Sequence, residues 1–107
     1  MASKKIRKHL SFLEYLMSVS NEIREDQIKG LKSPELKFMI DVLLNVVHKK
    51  IPISDESKSQ LQAHKQVIND LIKKKKTLKG RKEILMQGDT FKNLFSILLP
   101  DLRVAAL

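Results

Sequence analysis

Residues 33–50 read SPELKFMIDVLLNVVHKK, and this stretch decides the fold that the sequence predicts. Its first three residues form a helix start, with a capping hydroxyl at Ser33, a proline at the first helical position and an acid near the positive end of the helix dipole. The residues after them are apolar on nearly every side, which is typical of the most buried helix in a bundle. We therefore expect a central helix at about 34–49 that ends near Lys49 and Lys50.

Helical periodicity continues on both sides of this central helix. On the N-terminal side, apolar residues recur every three or four positions and predict a helix at about 4–19, followed by a short polar segment at 22–29. On the C-terminal side, the proline in 51–53 predicts an extended connector. The next helix starts at 54–56 with a serine cap, and its narrow apolar stripe runs to Leu71.

The last third of the sequence predicts two more helices. Thr77 can cap a helix that runs through Gln87, and Gly88 ends it. The final helix starts at Asp89 and carries apolar residues at i, i+3, i+4 and i+7 spacing until Pro100 stops the run.

The predicted fold is all-α, a compact single-domain bundle of four to six helices around the central helix. One domain covers residues 1–107, a length that suits a single hydrophobic core. It includes a basic N-terminal segment at 1–8 and a short apolar tail at 101–107, whose flexibility stays open.

The charge balance of the chain is strongly basic. It has 21 lysines and arginines against 12 aspartates and glutamates, and so carries a formal net charge of +9. Such a charge favours polyanionic partners, nucleic acid first and an acidic membrane surface second. The absence of cysteine excludes disulfides and thiolate zinc sites and fits a reducing, intracellular compartment. The longest apolar stretch, at 94–99, is too short to span a bilayer, so no transmembrane segment is expected.

Enzymatic motifs are missing from the sequence. The three histidines, His9, His48 and His64, lie far apart, and none has a metalloprotease-like spacing with an acid. The glycines are isolated, so there is no glycine-rich loop for phosphate. We predict a non-enzymatic protein without a metal, a cofactor or a small-molecule substrate.

A basic run, KKKKTLKGRK, fills residues 73–82, where one predicted helix ends and the next begins. Lysine side chains and a helix N-terminus can bind the same phosphate group. Because aromatic residues are scarce, we expect contacts to the nucleic-acid backbone rather than stacking on bases. The predicted nucleic-acid-binding residues are Lys73, Lys74, Lys75, Lys76, Lys79, Arg81 and Lys82.

A second basic block lies near the N-terminus and consists of Lys4, Lys5, Arg7 and Lys8. Neither block contains an acid. For both blocks the alternative is a solvated surface that only aids solubility.

The last predicted helix is a candidate partner-binding element. Its apolar face can close the core, or it can dock on a partner or a second copy of the chain, because an amphipathic helix suits helix-in-groove association. The residues of this face are Phe91, Leu94, Phe95 and Leu98. The docking alternative would make the chain an oligomerisation, adaptor or capsid-internal module.

From Leu44 onward the sequence pattern resembles a known family. The matching stretches are LNVV at 44–47, IPIS at 51–54, Leu61 with the HK pair at 64–65, KKKTLKGRK at 74–82, and QG at 87–88. This pattern resembles small basic proteins of Polinton (Maverick) elements and of the related adintoviruses and adomaviruses. The resemblance implies a DNA-associated virion protein, found in the nucleus or the virion.

In that family a glycine-rich tail follows the basic block and looks like the tail of the adenovirus core-peptide precursor. Here Gly88 is followed by Asp89 instead, which favours an intact folded domain.

The residues and the resemblance lead to one main hypothesis. It is a non-enzymatic helical protein of a viral or transposon-derived element that associates with nucleic acid, in genome packaging or DNA compaction. Duplex DNA is the favoured ligand, while RNA, a homo-oligomer and a capsid partner stay open. Peripheral binding to anionic membranes is a further alternative.

Overall fold

The computed structural model describes residues 3–107, and over these residues the chain forms seven helices and no strand. The helices are α1 (Ser3–Ser18), α2 (Asn21–Lys29), α3 (Ser33–Val47), α4 (Asp55–Gln62), α5 (Lys65–Ile72), α6 (Leu78–Met86) and α7 (Thr90–Ala105). The all-α prediction is confirmed, whereas the predicted number of four to six helices is too low.

The additional helix arises from a break at Ala63 and His64, within the single helix predicted after Ser54. Leu61 on α4 and Ile68 on α5 are both buried. However, α4 packs against α7, while α5 packs against α3 and α6. The chain has to turn between the two helices because one straight helix could not present both stripes to these different partners.

The core is continuous and is built mainly on two helices, not on one. α1 and α7 pack along each other, and α7 also contacts α4 and α6. α3 contacts α5 and α6, and α2 contacts α1 and α6. Both α3 and α7 bury six residues each, so α7 shares the central position that was predicted for residues 34–49 alone.

The start of α3 differs by one residue from the prediction. Lys32 is the N-cap residue, and Ser33 already lies inside the first turn without acting as a side-chain cap. Pro34 occupies an early helical position, where its missing N–H costs nothing.

α3 ends in a Schellman-type turn whose left-handed residue is a lysine. Lys49 has a φ of 61°. Its N–H donates to the carbonyl of Val46 at 3.1 Å, and the N–H of Lys50 donates to the carbonyl of Asn45 at 2.7 Å. Glycine usually occupies this position, because a β-carbon is strained there. The helix itself ends at Val47, two residues before the predicted end.

Three predicted helix boundaries are confirmed by local hydrogen bonds or backbone angles. Ser54 Oγ accepts from the N–H of Ser57 at 3.1 Å, and Thr77 Oγ1 accepts from the N–H of Gly80 at 3.0 Å. Gly88, between α6 and α7, has a φ of 51°.

The prediction that Pro100 stops the last helix is wrong. Pro100 lies inside α7, and the residue whose carbonyl loses its partner is Ser96. Both residues are exposed, so water can reach this carbonyl. Leu102 and Ala106, which follow, are 0% and 5% exposed. The segment at 101–107 is therefore mostly helical, and two of its residues belong to the core.

Arg24 is the most buried charged residue in the described part of the chain, with 5% exposure. Its guanidinium donates to the carbonyls of Leu16 at 2.7 Å and Val19 at 2.9 Å, and to Asn21 Oδ1 at 2.7 Å. These acceptors belong to the end of α1, the turn that follows it and the first residue of α2. Arg24 thus satisfies carbonyl groups that a helix end leaves unpaired.

Candidate functional site

The basic run lies at the junction of α5 and α6, as predicted. Residues 73–77 connect the two helices, and Thr77 caps the N-terminus of α6. Lys74, Lys75 and Lys79 are exposed. Three positive charges therefore lie within or directly beside one short loop at the positive end of a helix dipole.

Arg81 belongs to the predicted set but is used within the fold. Its Nε donates to the carbonyl of Leu71 at 3.0 Å, and its Nη2 donates to the carbonyl of Lys73 at 2.9 Å. These carbonyls lie at the C-terminal end of α5, which Arg81 caps from the next helix. We therefore assign to Arg81 a role in fixing the loop.

Lys82 has a similar structural role at a different helix end. Its Nζ donates to the carbonyls of Lys29 at 3.1 Å and Leu31 at 2.7 Å. The first of these carbonyls belongs to the last residue of α2, and the second to the turn before α3. Lys82 therefore ties α6 to the α2–α3 turn.

Lys73 is paired with Asp70, one turn earlier on α5, at 3.2 Å. The side chain of Lys73 is 61% exposed and that of Asp70 is 34% exposed, so solvent screens this ion pair, which only partly offsets the positive charge of the loop. No other residue of the predicted set has a carboxylate within ion-pair distance in the part of the chain that the structure describes.

Gly80 leaves room for the aliphatic part of the Lys76 side chain. A β-carbon at Gly80 would lie 3.0 Å from Cδ of Lys76 and 3.2 Å from Oγ1 of Thr77. Because glycine lacks that atom, the half-buried lysine stem can pack across the first turn of α6. The cationic surface formed by Lys74, Lys75, Lys76 and Lys79 is called the loop patch below.

A cleft of about 330 Å³ extends from the loop patch along α6 towards the start of α3. Lys79 lines it together with Lys29, Lys82 and Ser33. Glu83 also lines the cleft and reduces its positive charge.

The second basic block lies on the first half of α1, and its four cations are exposed. Residues 1–2 of the predicted basic segment lie outside the described residues. Within the block, Lys5 pairs with Asp41 of α3 at 3.3 Å. The ring of His9, just after the block, stacks on Phe38 of α3 with a centroid distance of 4.4 Å.

The prediction of a partner-binding face on the last helix is wrong for the folded chain. Its four residues are at most 1% exposed, because α7 turns this face towards α1, α4 and α6. The rings of two of them stack on each other at 4.7 Å. The core alternative applies to all of them: Phe91, Leu94, Phe95 and Leu98.

The structure also contains a larger cleft, of about 490 Å³, that the sequence did not predict. It lies between the end of α3, the connector at 51–53 and the facing sides of α4 and α5. Its apolar lining consists of Val46, Val47, Ile51, Pro52, Ile53, Leu61 and Ile68. Its polar lining consists of Lys49, Lys58, Gln62, Lys65 and Asn69. The sequence feature that could have indicated this cleft is the pair Ile51 and Ile53, two apolar residues in a connector that cannot be helical.

Residues 3–107 contain neither a cluster of metal-binding side chains nor a helix that could cross a membrane. Over residues 3–107, the histidine and carboxylate side chains form no group of three or more that could hold a metal ion. In the same range, every helix is too short or too polar to cross a bilayer.

Comparison with protein-family models, curated proteins and solved structures finds no match to this chain.

Proposed function

We propose that this chain is a non-enzymatic helical protein that associates with the phosphate backbone of nucleic acid, duplex DNA first, through the loop patch. The observation that carries the proposal is the exposure of Lys74, Lys75 and Lys79 around the capped N-terminus of α6. No carboxylate of the described residues lies within ion-pair distance of these lysines. Cations held close together in this way can replace the counterions condensed on DNA.

A role in genome packaging or DNA compaction follows from the sequence resemblance to Polinton, adintovirus and adomavirus proteins. Lysines that contact only phosphates carry no base readout, so binding is expected to be independent of sequence. This suits a protein that covers a genome rather than one that finds a single site.

The internal use of Arg81 and Lys82 lowers the expected salt dependence of binding. If the four lysines of the loop patch each met one phosphate, the slope of log K against log salt would be about −3.6, at about 0.9 per contact. A contribution from the N-terminal block would make the slope steeper.

The test compares two variants that lose the same charge. The loop variant replaces three exposed lysines by glutamine and leaves the two capping cations intact. Its substitutions are Lys74→Gln, Lys75→Gln and Lys79→Gln. Fluorescence anisotropy with a labelled duplex at several salt concentrations should show weaker binding, with a slope shallower by about 2.7.

The control variant replaces three exposed lysines outside both basic blocks. Its substitutions are Lys37→Gln, Lys50→Gln and Lys92→Gln. It should keep the affinity and slope of the unmodified chain to within a small non-specific loss. Equal losses in both variants, or no loss in the loop variant, would overturn the proposal.

A further inference from the structure

We propose that the larger cleft binds an acidic, amphipathic helical segment of a partner protein. This cleft shares no lining residue with the loop patch. The inference is therefore independent of the proposed nucleic-acid association.

The floor of the cleft is apolar and pre-formed. Ile51, Leu61 and Ile68 are 2%, 8% and 7% exposed, so they are held in place by the core beneath them. Val47 stands at the edge of the cleft and is 46% exposed. An apolar side chain that covered Val47 and filled the cleft would remove this surface from water, which is favourable in proportion to the area buried.

The rim of the cleft is positively charged. Lys49, Lys58 and Lys65 line it, and no carboxylate does so within residues 3–107. Asp55 lies 3.9 Å from Lys58, but both side chains are mostly in solvent, so this pair leaves the rim cationic. Charge complementarity across such a rim selects an acidic partner and disfavours a basic one.

We take the occupant to be a helix rather than an added strand. An extended segment gains affinity by pairing its backbone with the edge of a sheet, and residues 3–107 contain no strand. A helix satisfies its own backbone hydrogen bonds and presents apolar anchors at i, i+3 or i+4, and i+7. The proposed occupant has such anchors on one face and glutamates or aspartates beside them.

Two rim lysines allow a test that does not weaken the fold. Lys65 is the first residue of α5, where an acid interacts well with the helix dipole, so Lys65→Glu should fold normally. Lys49 has a strained left-handed backbone, so Lys49→Gly removes a rim charge while relieving that strain. Loss of binding in these two variants cannot then be explained by unfolding.

The probe is a synthetic, fluorescein-labelled peptide of about 16 residues, with leucines at i, i+4 and i+7 and glutamates on both flanks. Its binding to the full chain is followed by anisotropy, and its location by amide chemical shifts of the labelled chain. The shifts should cluster on the cleft lining. Lys65→Glu should weaken binding roughly three- to tenfold, and Lys49→Gly less, whereas the control Lys37→Glu should not change it.

Several results would overturn the proposal. They are equal binding of a peptide with lysines in place of the glutamates, equal binding of a scrambled sequence, or shifts that cluster on the loop patch. Concentration-dependent shifts of the cleft without peptide would instead identify a second copy of the chain as the occupant. Shifts with a single-chain anionic detergent but not with the peptide would identify a lipid-like ligand. Either of these outcomes also contradicts the proposal.

Discussion

The side chain of Arg24 carries a full charge in a nearly solvent-free position, and backbone carbonyls at the end of α1 compensate it. A hydrogen bond to a charged group contributes about 1.5–3 kcal/mol to stability, and an unpaired buried carbonyl is costly. Several such bonds depend on this one side chain, so it is among the most sensitive single positions of the chain.

Replacing Arg24 by methionine should lower the free energy of unfolding by about 2–4 kcal/mol, because the buried carbonyl of Leu16 and the partly buried carbonyl of Val19 would lose their hydrogen bonds. Urea unfolding followed by circular dichroism measures the change. The matched control is Arg7→Met on the exposed side of α1, which should change stability by no more than about 0.5 kcal/mol. Similar midpoints for both variants would contradict this role of Arg24.

His9 should make the stability of the fold depend on pH. Burial against Phe38 lowers the pKa of His9 below its ordinary value of 6.5. The positive charges of Lys8 and Lys5 also lower this pKa, whereas the negative charge of Glu35 raises it. Since the unfolded chain then binds the proton more readily, the free energy of unfolding should fall as the pH decreases below 6.5.

The variant His9→Gln should remove most of this pH dependence, as measured by urea unfolding at a series of pH values between about 5 and 8. The control is the exposed His48. The variant His48→Gln should show the same change of unfolding free energy with pH as the unmodified chain. An unchanged slope in His9→Gln would show that other groups cause it.

The basic run could be found from the sequence. The sequence did not show that Arg81 and Lys82 bind backbone carbonyls while most of the loop-patch lysines stay exposed. Lys82 contacts carbonyls 51 and 53 residues away in the chain. Arg81 reaches back by eight and ten residues. Such contacts depend on how α6 packs against the other helices, and no local pattern encodes that packing.

At the scale of the helix, the predictions that hold are those set by neighbouring residues. Ser54, Thr77 and Gly88 act within one turn, through a hydroxyl or through the backbone freedom of glycine. Local patterns also misplaced the two ends of α3 by one and two residues. The larger failures involve tertiary packing. The break at 63–64 exists because α4 and α5 face different helices, and Pro100 stays helical because buried leucines on both sides hold α7 in place.

Two residues with left-handed backbones should respond oppositely to substitution. Lys49→Gly should raise the free energy of unfolding by about 0.5–1 kcal/mol, because glycine adopts the φ of 61° without strain. Gly88→Ala should lower it by about 1 kcal/mol for the same reason. A β-carbon at Gly88 would touch nothing within 4 Å, so the cost would be conformational only.

Gly30→Ala is the control for this pair. It should be neutral or slightly stabilising, since Gly30 has a φ of −86° that alanine adopts readily. Thermal unfolding of the three variants tests the set. A loss of stability in Lys49→Gly would contradict the assigned strain.

At the scale of the whole molecule, the positive charge is poorly compensated. The formal charge is +9, and the four ion pairs among residues 3–107 all involve accessible side chains, so each contributes little. Crowded lysines in the loop patch repel each other in the folded state, which implies that the fold gives up some stability to keep them together.

The loop variant should therefore be more stable than the unmodified chain by about 0.5 kcal/mol at low salt. The difference should vanish at about 1 M salt, where charges interact only over about 3 Å. Unfolding curves at two salt concentrations measure it, with the Lys37, Lys50 and Lys92 triple variant as the control. A loop variant that is less stable at low salt would indicate that these lysines support the fold.

The capping cations also have an evolutionary consequence. Arg24, Arg81 and Lys82 each bind carbonyls at a particular helix end, so they can be exchanged only together with the geometry of that end. The loop-patch lysines need only remain numerous, and their positions are free to drift during divergence. Distant relatives of this chain should thus keep cations at the positions of Arg24, Arg81 and Lys82, even where the lysines of the run have been substituted.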